Sequence, residues 1–210
     1  MPDTPATIPG SRAAKPQQVL DAARDLFLKD GFSATSMDAV AKRAGVSKAT
    51  VYAHFTSKEE LFAAMIDVEC RRTWPELSTP YFGQTDPLEK IREVAQRYVR
   101  FIVGGYPVSL LRTVAAEVSR TPEIGQVFYE SAPGLGRQRF AELLQVANAR
   151  GVLVVPDPLH AADTFLAMLR GDIQLHSLVG LPLPSDEAIS AHAKECAERF
   201  IRAYAPPASS

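Results

Sequence analysis

The segment from Phe27 to Val68 constrains the fold of this chain more than any other part of the sequence. Apolar residues recur in it at helical spacing, and residues that cap helix N-termini separate the apolar stretches. Its turn glycine, Gly45, lies between two of the helices that this pattern predicts. Short helices joined by such a turn are typical of a helix-turn-helix, which places one helix in the major groove of DNA.

Local signals set the bounds of the first two helices. An apolar face predicts a helix from about Pro16 to Lys29, and Gly31 ends it as a C-cap. Thr35 or Ser36 caps the second helix, because both hydroxyl side chains can accept from a free backbone N–H. Asp38 lies in the first turn, where the helix dipole favours a negative charge.

The third and fourth helices carry equally clear start signals. Ser47 is expected to cap a helix from Lys48 to about His54. Ser57 is expected to cap the next, with Glu60 completing a capping box. Trp74-Pro75 should end that helix.

The remainder of the chain also has helix start and stop signals and no convincing strand. The predicted helices cover residues 87–103, 108–119, 121–150, 157–179 and 185–204. A proline-glycine pair at 133–134 must kink or divide the third of these. The fold class predicted from these patterns is all-α, with about nine helices.

Positive charge is concentrated in one segment, although the net charge of the chain is only −1. Residues 39–58 hold Lys42, Arg43, Lys48 and Lys58 and no acid. A confined basic patch on a nearly neutral chain is typical of a phosphate-binding surface. Two cysteines are too few for a disulfide framework, and no apolar run approaches the ~20 residues that span a bilayer. We therefore expect a soluble, cytoplasmic protein with no membrane partner.

The third helix supplies the candidate DNA-reading residues. Burial of Val51 and Phe55 would turn its opposite face to solvent. Lys48 and Thr50 would then reach base edges, alanines would approach thymine methyl groups, and the other polar residues would contact phosphates. The predicted DNA-binding residues are Ser36, Ser47, Lys48, Ala49, Thr50, Tyr52, Ala53, His54 and Lys58. The alternative is an ordinary exposed amphipathic helix.

The same residues carry a family resemblance, in the segment GFSATSMDAVAKRAGVSKATVYAHFTSKEELF. It resembles the DNA-binding domain of TetR-type transcriptional regulators, and the likeness extends from about Val19 to Ile66. Many members have glycine where this chain has Ala49, a change that should alter base preference. In the second half, LLRTVAAEVSRTPEIGQVFYESAP is similar to AcrR-type members of the family.

The resemblance implies an Ω-shaped homodimer that binds a double-stranded DNA operator. Residues 1–14 are expected to be a disordered tail, 15–60 a helix-turn-helix domain, and 61–205 a helical effector-binding and dimerisation domain. The implied function is a repressor released from a palindromic operator by a small hydrophobic effector. A transcriptional activator of the same architecture is an open alternative, as is a helical ligand-binding protein or enzyme without DNA function. No catalytic motif is present, so we predict that the chain is not an enzyme.

Apolar stripes on the last two helices predict a dimer interface, because a four-helix interface needs two such helices from each subunit. The predicted interface residues are Phe165, Leu166, Leu169, Ile173, Ala193, Ala197, Phe200 and Ile201. The alternative is that both stripes serve the core of a single chain.

Aromatic residues of the middle helices, with a few polar anchors, predict an effector pocket. The candidate lining residues are Trp74, Tyr98, Phe101, Arg112, Phe128 and His176, any of which could instead belong to the core. No cofactor is predicted. His192 and Cys196 share a helix face but are too few to form a metal site.

Overall fold

A computed structural model describes residues 14–73 and 86–207 of the 210-residue chain. The described residues form ten helices and contain no strand, which confirms the predicted all-α fold. The helices are α1 (Ala14–Asp30), α2 (Met37–Ala44), α3 (Lys48–Tyr52), α4 (Lys58–Thr73), α5 (Pro87–Ile102), α6 (Gly105–Glu117), α7 (Glu123–Ser131), α8 (Pro133–Ala149), α9 (Pro158–Val179) and α10 (Asp186–Ala203). None of them is long and apolar enough to cross a bilayer.

The break between α7 and α8 lies where the sequence predicted a kink or a division. Ala132 adopts φ −134° and ψ −73°, and Pro133 then opens α8. Proline lacks the N–H that would continue the preceding helix, and its ring clashes with the carbonyl four residues earlier. The sequence left open whether this stretch is kinked or divided, and the prediction of about nine helices counted it once.

Three phenylalanines form the centre of the N-terminal half. The ring centroids of Phe27, Phe32 and Phe62 lie 5.2–5.4 Å apart, and each side chain is at most 2% exposed. Two of the three contacts are edge-to-face, an arrangement that the quadrupoles of aromatic rings favour. The cluster packs α1 against α4, and these two helices support α2 and α3.

A second aromatic cluster lies among residues of the predicted dimer interface. The ring centroids of Phe140, Phe165 and Phe200 lie 4.6–6.0 Å apart between α8, α9 and α10, and only the Phe140–Phe165 pair is stacked. Six predicted interface residues are at most 5% exposed in the single chain: Phe165, Leu166, Leu169, Ala193, Ala197 and Phe200. These six side chains therefore belong to the core of the single chain, the alternative that the apolar stripes left open, and their contact with a partner stays a prediction. Ile173 and Ile201 are half-buried and stay predictions.

The two halves of the chain are joined by α4 and by contacts from α6. The predicted boundary between residues 60 and 61 falls inside α4, which runs without a break from Lys58 to Thr73. Beside it, the Glu117 carboxylate at the end of α6 accepts hydrogen bonds from the backbone N–H and the hydroxyl of Ser33, in the turn after α1. At the other end of α6, the Arg24 guanidinium lies 5.6 Å from the centre of the Tyr106 ring.

Two glycines in the N-terminal half adopt left-handed backbone conformations but differ in their surroundings. Gly31 has φ +88° and Gly45 has φ +67°. A Cβ on Gly31 would lie 2.8 Å from Oε1 of Glu117, whereas a Cβ on Gly45 would meet nothing within 4 Å. A side chain at position 31 would therefore strain the backbone and would also displace the Glu117 carboxylate.

Replacing these glycines should separate the two effects. Gly45→Ala is expected to lower the free energy of unfolding by about 1–2 kcal/mol, the cost of a left-handed conformation. Gly31→Ala should cost at least ~1 kcal/mol more, because Glu117 must also move away from its Ser33 donors. Urea denaturation at a fixed protein concentration measures both changes. In a Glu117→Ala background the two substitutions should cost about the same, and an unchanged difference would contradict this account.

Candidate nucleic-acid interface

The helix-turn-helix is held by the side-chain caps that the sequence predicted. The Ser36 hydroxyl accepts from the Ala39 N–H at 3.1 Å at the start of α2, and Gly45 ends that helix in a left-handed conformation. The Ser47 hydroxyl accepts from the Thr50 N–H at 3.1 Å at the start of α3. Each cap satisfies an N–H that the helix itself leaves free, so the turn has a defined geometry.

The orientation of α3 agrees with the prediction. Val51 is fully buried and Phe55 is 8% exposed, whereas Tyr52 on the opposite side is 44% exposed. Of the nine predicted DNA-binding residues, seven are exposed and Thr50 and Lys58 are half-buried. The exposed seven are Ser36, Ser47, Lys48, Ala49, Tyr52, Ala53 and His54. The small side chains of Ala49 and Ala53 leave the backbone on this face accessible.

Lys48 is paired with an acid in the free protein. Its Nζ lies 2.8 Å from Oδ1 and 3.1 Å from Oδ2 of Asp38, and 5.8 Å from the centre of the Tyr52 ring. The hydrogen bond to Asp38 and its negative charge raise the pKa of Lys48. The sequence pattern predicts only that Asp38 interacts with the dipole of α2, and it does not predict the ion pair with Lys48. The missed signal was the Gly45 turn, which folds α3 back beside the start of α2.

Lys58, a predicted phosphate contact, is bound by the backbone of its own chain. Its Nζ donates to the carbonyl oxygens of Phe32 at 2.8 Å and of Thr35 at 3.1 Å, and it lies 4.3 Å from the centre of the Phe32 ring. A phosphate would have to compete with these acceptors. The structure therefore gives Lys58 a role in fixing the Gly31–Thr35 turn, and its phosphate contact stays a prediction.

The remaining basic residues of the patch differ in their pairing. Arg43 lies 2.6 Å from Asp25 of α1, and both side chains are about half exposed. Among the residues that the structure describes, no ion pair involves Lys42, which is exposed near the end of α2. Two of the four positive charges of this patch, those of Lys48 and Arg43, are thus paired with carboxylates that DNA phosphates would have to replace.

The candidate effector residues lie on four helices of the C-terminal half. Tyr98 of α5 accepts from the Arg170 guanidinium of α9 at 3.1 Å, and burial raises the pKa of this tyrosine. Arg112 of α6 donates to the carbonyl oxygens of Ser177 and Leu178, both at 2.8 Å. This brings Arg112 to the end of α9, which also carries the half-buried His176.

The other aromatic candidates are Phe101, Phe128 and Trp74. Phe101 and Phe128 are partly buried and pack against the hydrophobic core, whereas Trp74 lies outside the described residues. Arg170 is a polar residue that the sequence analysis missed. The signal for it was a charge between the apolar residues Leu169 and Ile173 of one predicted helix.

The cysteines lie apart in the fold. Burial raises the pKa of Cys70 to about 11, and it also raises the pKa of Cys196. Cys196 Sγ lies 3.8 Å from Nε2 of His192, the pair that shares a face of α10. Within residues 14–73 and 86–207, no three metal-binding side chains of His, Cys, Asp or Glu come together.

Comparison with known families agrees with this architecture. Residues 19–65 match the family model described as "Bacterial regulatory proteins, tetR family". Residues 89–206, more than half of the chain, match the model "AefR-like transcriptional repressor, C-terminal domain". The chain therefore belongs to the TetR family, and it is a DNA-binding transcriptional regulator. The sequence of the second half is similar to AcrR-type members of the family, whereas the family model that matches this half is the AefR-like one.

Individual relatives give the same family. The solved structure of "Flavonoid-responsive Regulator FrrA" is 40% identical, has a TM-score of 0.79, and is matched over 94% of this chain and 100% of that one. The transcriptional activator FasR of Mycolicibacterium smegmatis is 34% identical over 40% of this chain and 39% of its own length. The regulator AcrR of Shigella flexneri is 36% identical over 37% of each chain. The match thus covers well under half the length of these two curated relatives.

Proposed function

We propose that this regulator is a homodimeric repressor that leaves a palindromic operator when a small hydrophobic effector binds. The observation that carries the proposal is the capped helix-turn-helix, with α3 exposed along the face that holds Lys48 and Tyr52. The match of the C-terminal half to a repressor domain supports repression. The similarity to the activator FasR keeps activation as the second candidate, since operator position decides between the two.

On the operator, the N-terminal part of α3 enters the major groove. Lys48 exchanges Asp38 for a guanine edge, where O6 and N7 accept hydrogen bonds. Ala49 and Ala53 approach thymine methyl groups, while Ser47, Tyr52 and His54 contact phosphates and fix the register. The site of action is then the cytoplasm, where the bacterial chromosome lies.

Loss of the reading residues tests this assignment. We expect Lys48→Ala with Tyr52→Ala to weaken binding to the operator by about a hundredfold or more, because each dimer loses contacts in both half-sites. The operator is first selected from a random DNA library with the wild-type protein, and mobility shifts at several salt concentrations give the affinities.

Arg71→Ala is the matched control for that experiment. Arg71 is an exposed cation paired with Asp67 at 2.8 Å on α4, so its loss removes similar charge away from α3. Equal loss of affinity in the control and the double variant would argue against base reading by α3. Failure of the wild-type protein to select any sequence would refute the proposed function.

Dimerisation is proposed from apolar side chains that the single chain leaves exposed. At the end of α9, Leu175 is 56% and Val179 61% exposed, and Leu181 and Leu183 in the following loop are 52% and 41% exposed. Apolar side chains concentrated in this way are typical of protein–protein contact sites. A second copy of the chain would cover them, and it would supply the second recognition helix that a palindrome requires.

Leu175→Glu is expected to convert the dimer to a monomer, because it would place a charge in each copy of an apolar contact. Size-exclusion chromatography with light scattering measures the molecular mass, and circular dichroism checks the helical content. Val154→Glu changes a residue that is 52% exposed in the loop between α8 and α9, and it serves as the control. A Leu175→Glu protein that stays dimeric would place the interface elsewhere.

The effector is proposed to be a planar phenolic compound. The 40% identical relative is described as flavonoid-responsive, and aromatic residues such as Tyr98, Phe101 and Phe128 suit a flat apolar ligand. The Arg170 guanidinium beside the Tyr98 hydroxyl suits a phenolic oxygen. Binding would tilt α4 and move the recognition helices out of register with the operator. Operator binding must then weaken effector affinity by the same factor.

Flavonoids should therefore release the protein from its selected operator. We expect quercetin, a planar flavonoid, at micromolar concentration to abolish the mobility shift, whereas decanoate, an aliphatic anion, should leave it intact. Arg170→Met is expected to raise the flavonoid concentration needed for half release by about tenfold, the loss of one charge-assisted hydrogen bond. Binding unaffected by any flavonoid would contradict the effector class alone, since DNA binding is measured in the same assay.

A further inference from the structure

Glu117 connects the two halves of the chain through a buried carboxylate. It is the last residue of α6 and is 8% exposed. Its Oε2 accepts from the Ser33 N–H at 3.3 Å and also from the Ser33 hydroxyl, across 84 residues of sequence. Ser33 lies in the turn between α1 and α2, so this contact joins α6 directly to the unit that carries α3.

The position of Glu117 is unfavourable for a carboxylate. Burial removes water from its charge, and the C-terminal end of a helix disfavours a negative charge. No cation of the described residues forms an ion pair with Glu117 to offset these costs. Its hydrogen bonds to Ser33 are the compensating interaction, which points to a role in placing the turn.

The turn itself is built to receive Glu117. Gly31 has no Cβ, and an added one would lie 2.8 Å from Oε1 of Glu117. From the other side, Lys58 at the start of α4 donates to the carbonyl oxygens of Phe32 and Thr35. The segment that leads into α2 is therefore hydrogen-bonded by side chains of two helices, α4 and α6, and Glu117 supplies the contact from α6.

We propose that Glu117 is a positioning residue that fixes the direction of the recognition helix and thereby sets the half-site spacing that the dimer accepts. The proposal rests on the proposed function as a homodimer on a palindromic operator. Two recognition helices on one DNA face must be about 34 Å apart, and each inserted base pair changes both their separation and their rotation about the DNA axis. A rigid connection makes a change in spacing costly, whereas a looser one lets each helix adjust.

The test compares operators that differ in spacing. The palindrome selected by the wild-type protein is prepared unchanged, with one or two base pairs inserted between the half-sites, and with one or two removed. Wild-type affinity is expected to fall by about a hundredfold on the altered duplexes, and Glu117→Ala should reduce that loss to about tenfold or less. The measured quantity is the ratio of affinities for the unchanged and altered duplexes.

Several variants separate positioning from stability. Ser33→Ala removes the partner and should relax the spacing preference as Glu117→Ala does, and the double variant should relax it no further. Glu117→Gln keeps an acceptor for Ser33 and should retain most of the preference. Glu130→Ala removes an exposed glutamate that bonds Gln126 on α7, and it should leave the preference unchanged. Thermal unfolding of each variant confirms that the folded protein is being compared.

The outcomes are distinct. If Glu117→Ala weakens binding to every duplex by the same factor, the spacing preference does not depend on this residue and the proposal is overturned. A preference relaxed by Glu130→Ala as strongly as by Glu117→Ala would overturn it as well. If the wild-type protein selects no palindrome, the proposed function fails and takes this inference with it.

Discussion

The hydrogen bonds between Glu117 and Ser33 hold together the parts of the molecule that must act as one. The Gly31–Thr35 turn receives this carboxylate from α6 and the Lys58 ammonium from α4, while Phe32 packs into the aromatic cluster below. Buried polar groups are costly unless they are paired, and these contacts supply partners for the Glu117 carboxylate and for the carbonyl oxygens of the turn. The direction of α2, and therefore of α3, follows from how this one turn is bound.

Charge on the DNA-binding face is arranged for exchange. Lys48 and Arg43 are exposed, yet each is paired with a carboxylate of its own chain. Exposed ion pairs contribute little to folding, about 0–1 kcal/mol, so phosphate or a base edge can replace the carboxylate at small cost. This is consistent with a chain whose net charge is only −1 and whose segment 39–58 holds four basic residues and no acid.

The local features of the fold were predictable because short-range interactions decide them. Ser36 and Ser47 bond N–H groups three residues away, and Gly45 relieves a backbone constraint at its own position. The exposed side of α3 also followed from spacing, since burial of Val51 at helical periodicity leaves Tyr52 in solvent. Two details were not predictable in this way. The Glu60 carboxylate accepts from Thr56 and not from the cap residue, and Asp38 reaches Lys48 across the turn.

The sequence by itself determined the all-α class, the helix-turn-helix, its caps and the face that α3 exposes, because each depends on residues within one or two helical turns of one another. Tertiary structure alone decided which apolar stripes are enclosed. Phe165 and Phe200 have the pattern of a contact surface, but α8 covers them in the same chain, and periodicity cannot distinguish a partner helix from one of the chain's own. Tertiary structure also brought Glu117 to Ser33, since a contact across 84 residues leaves no local pattern to read.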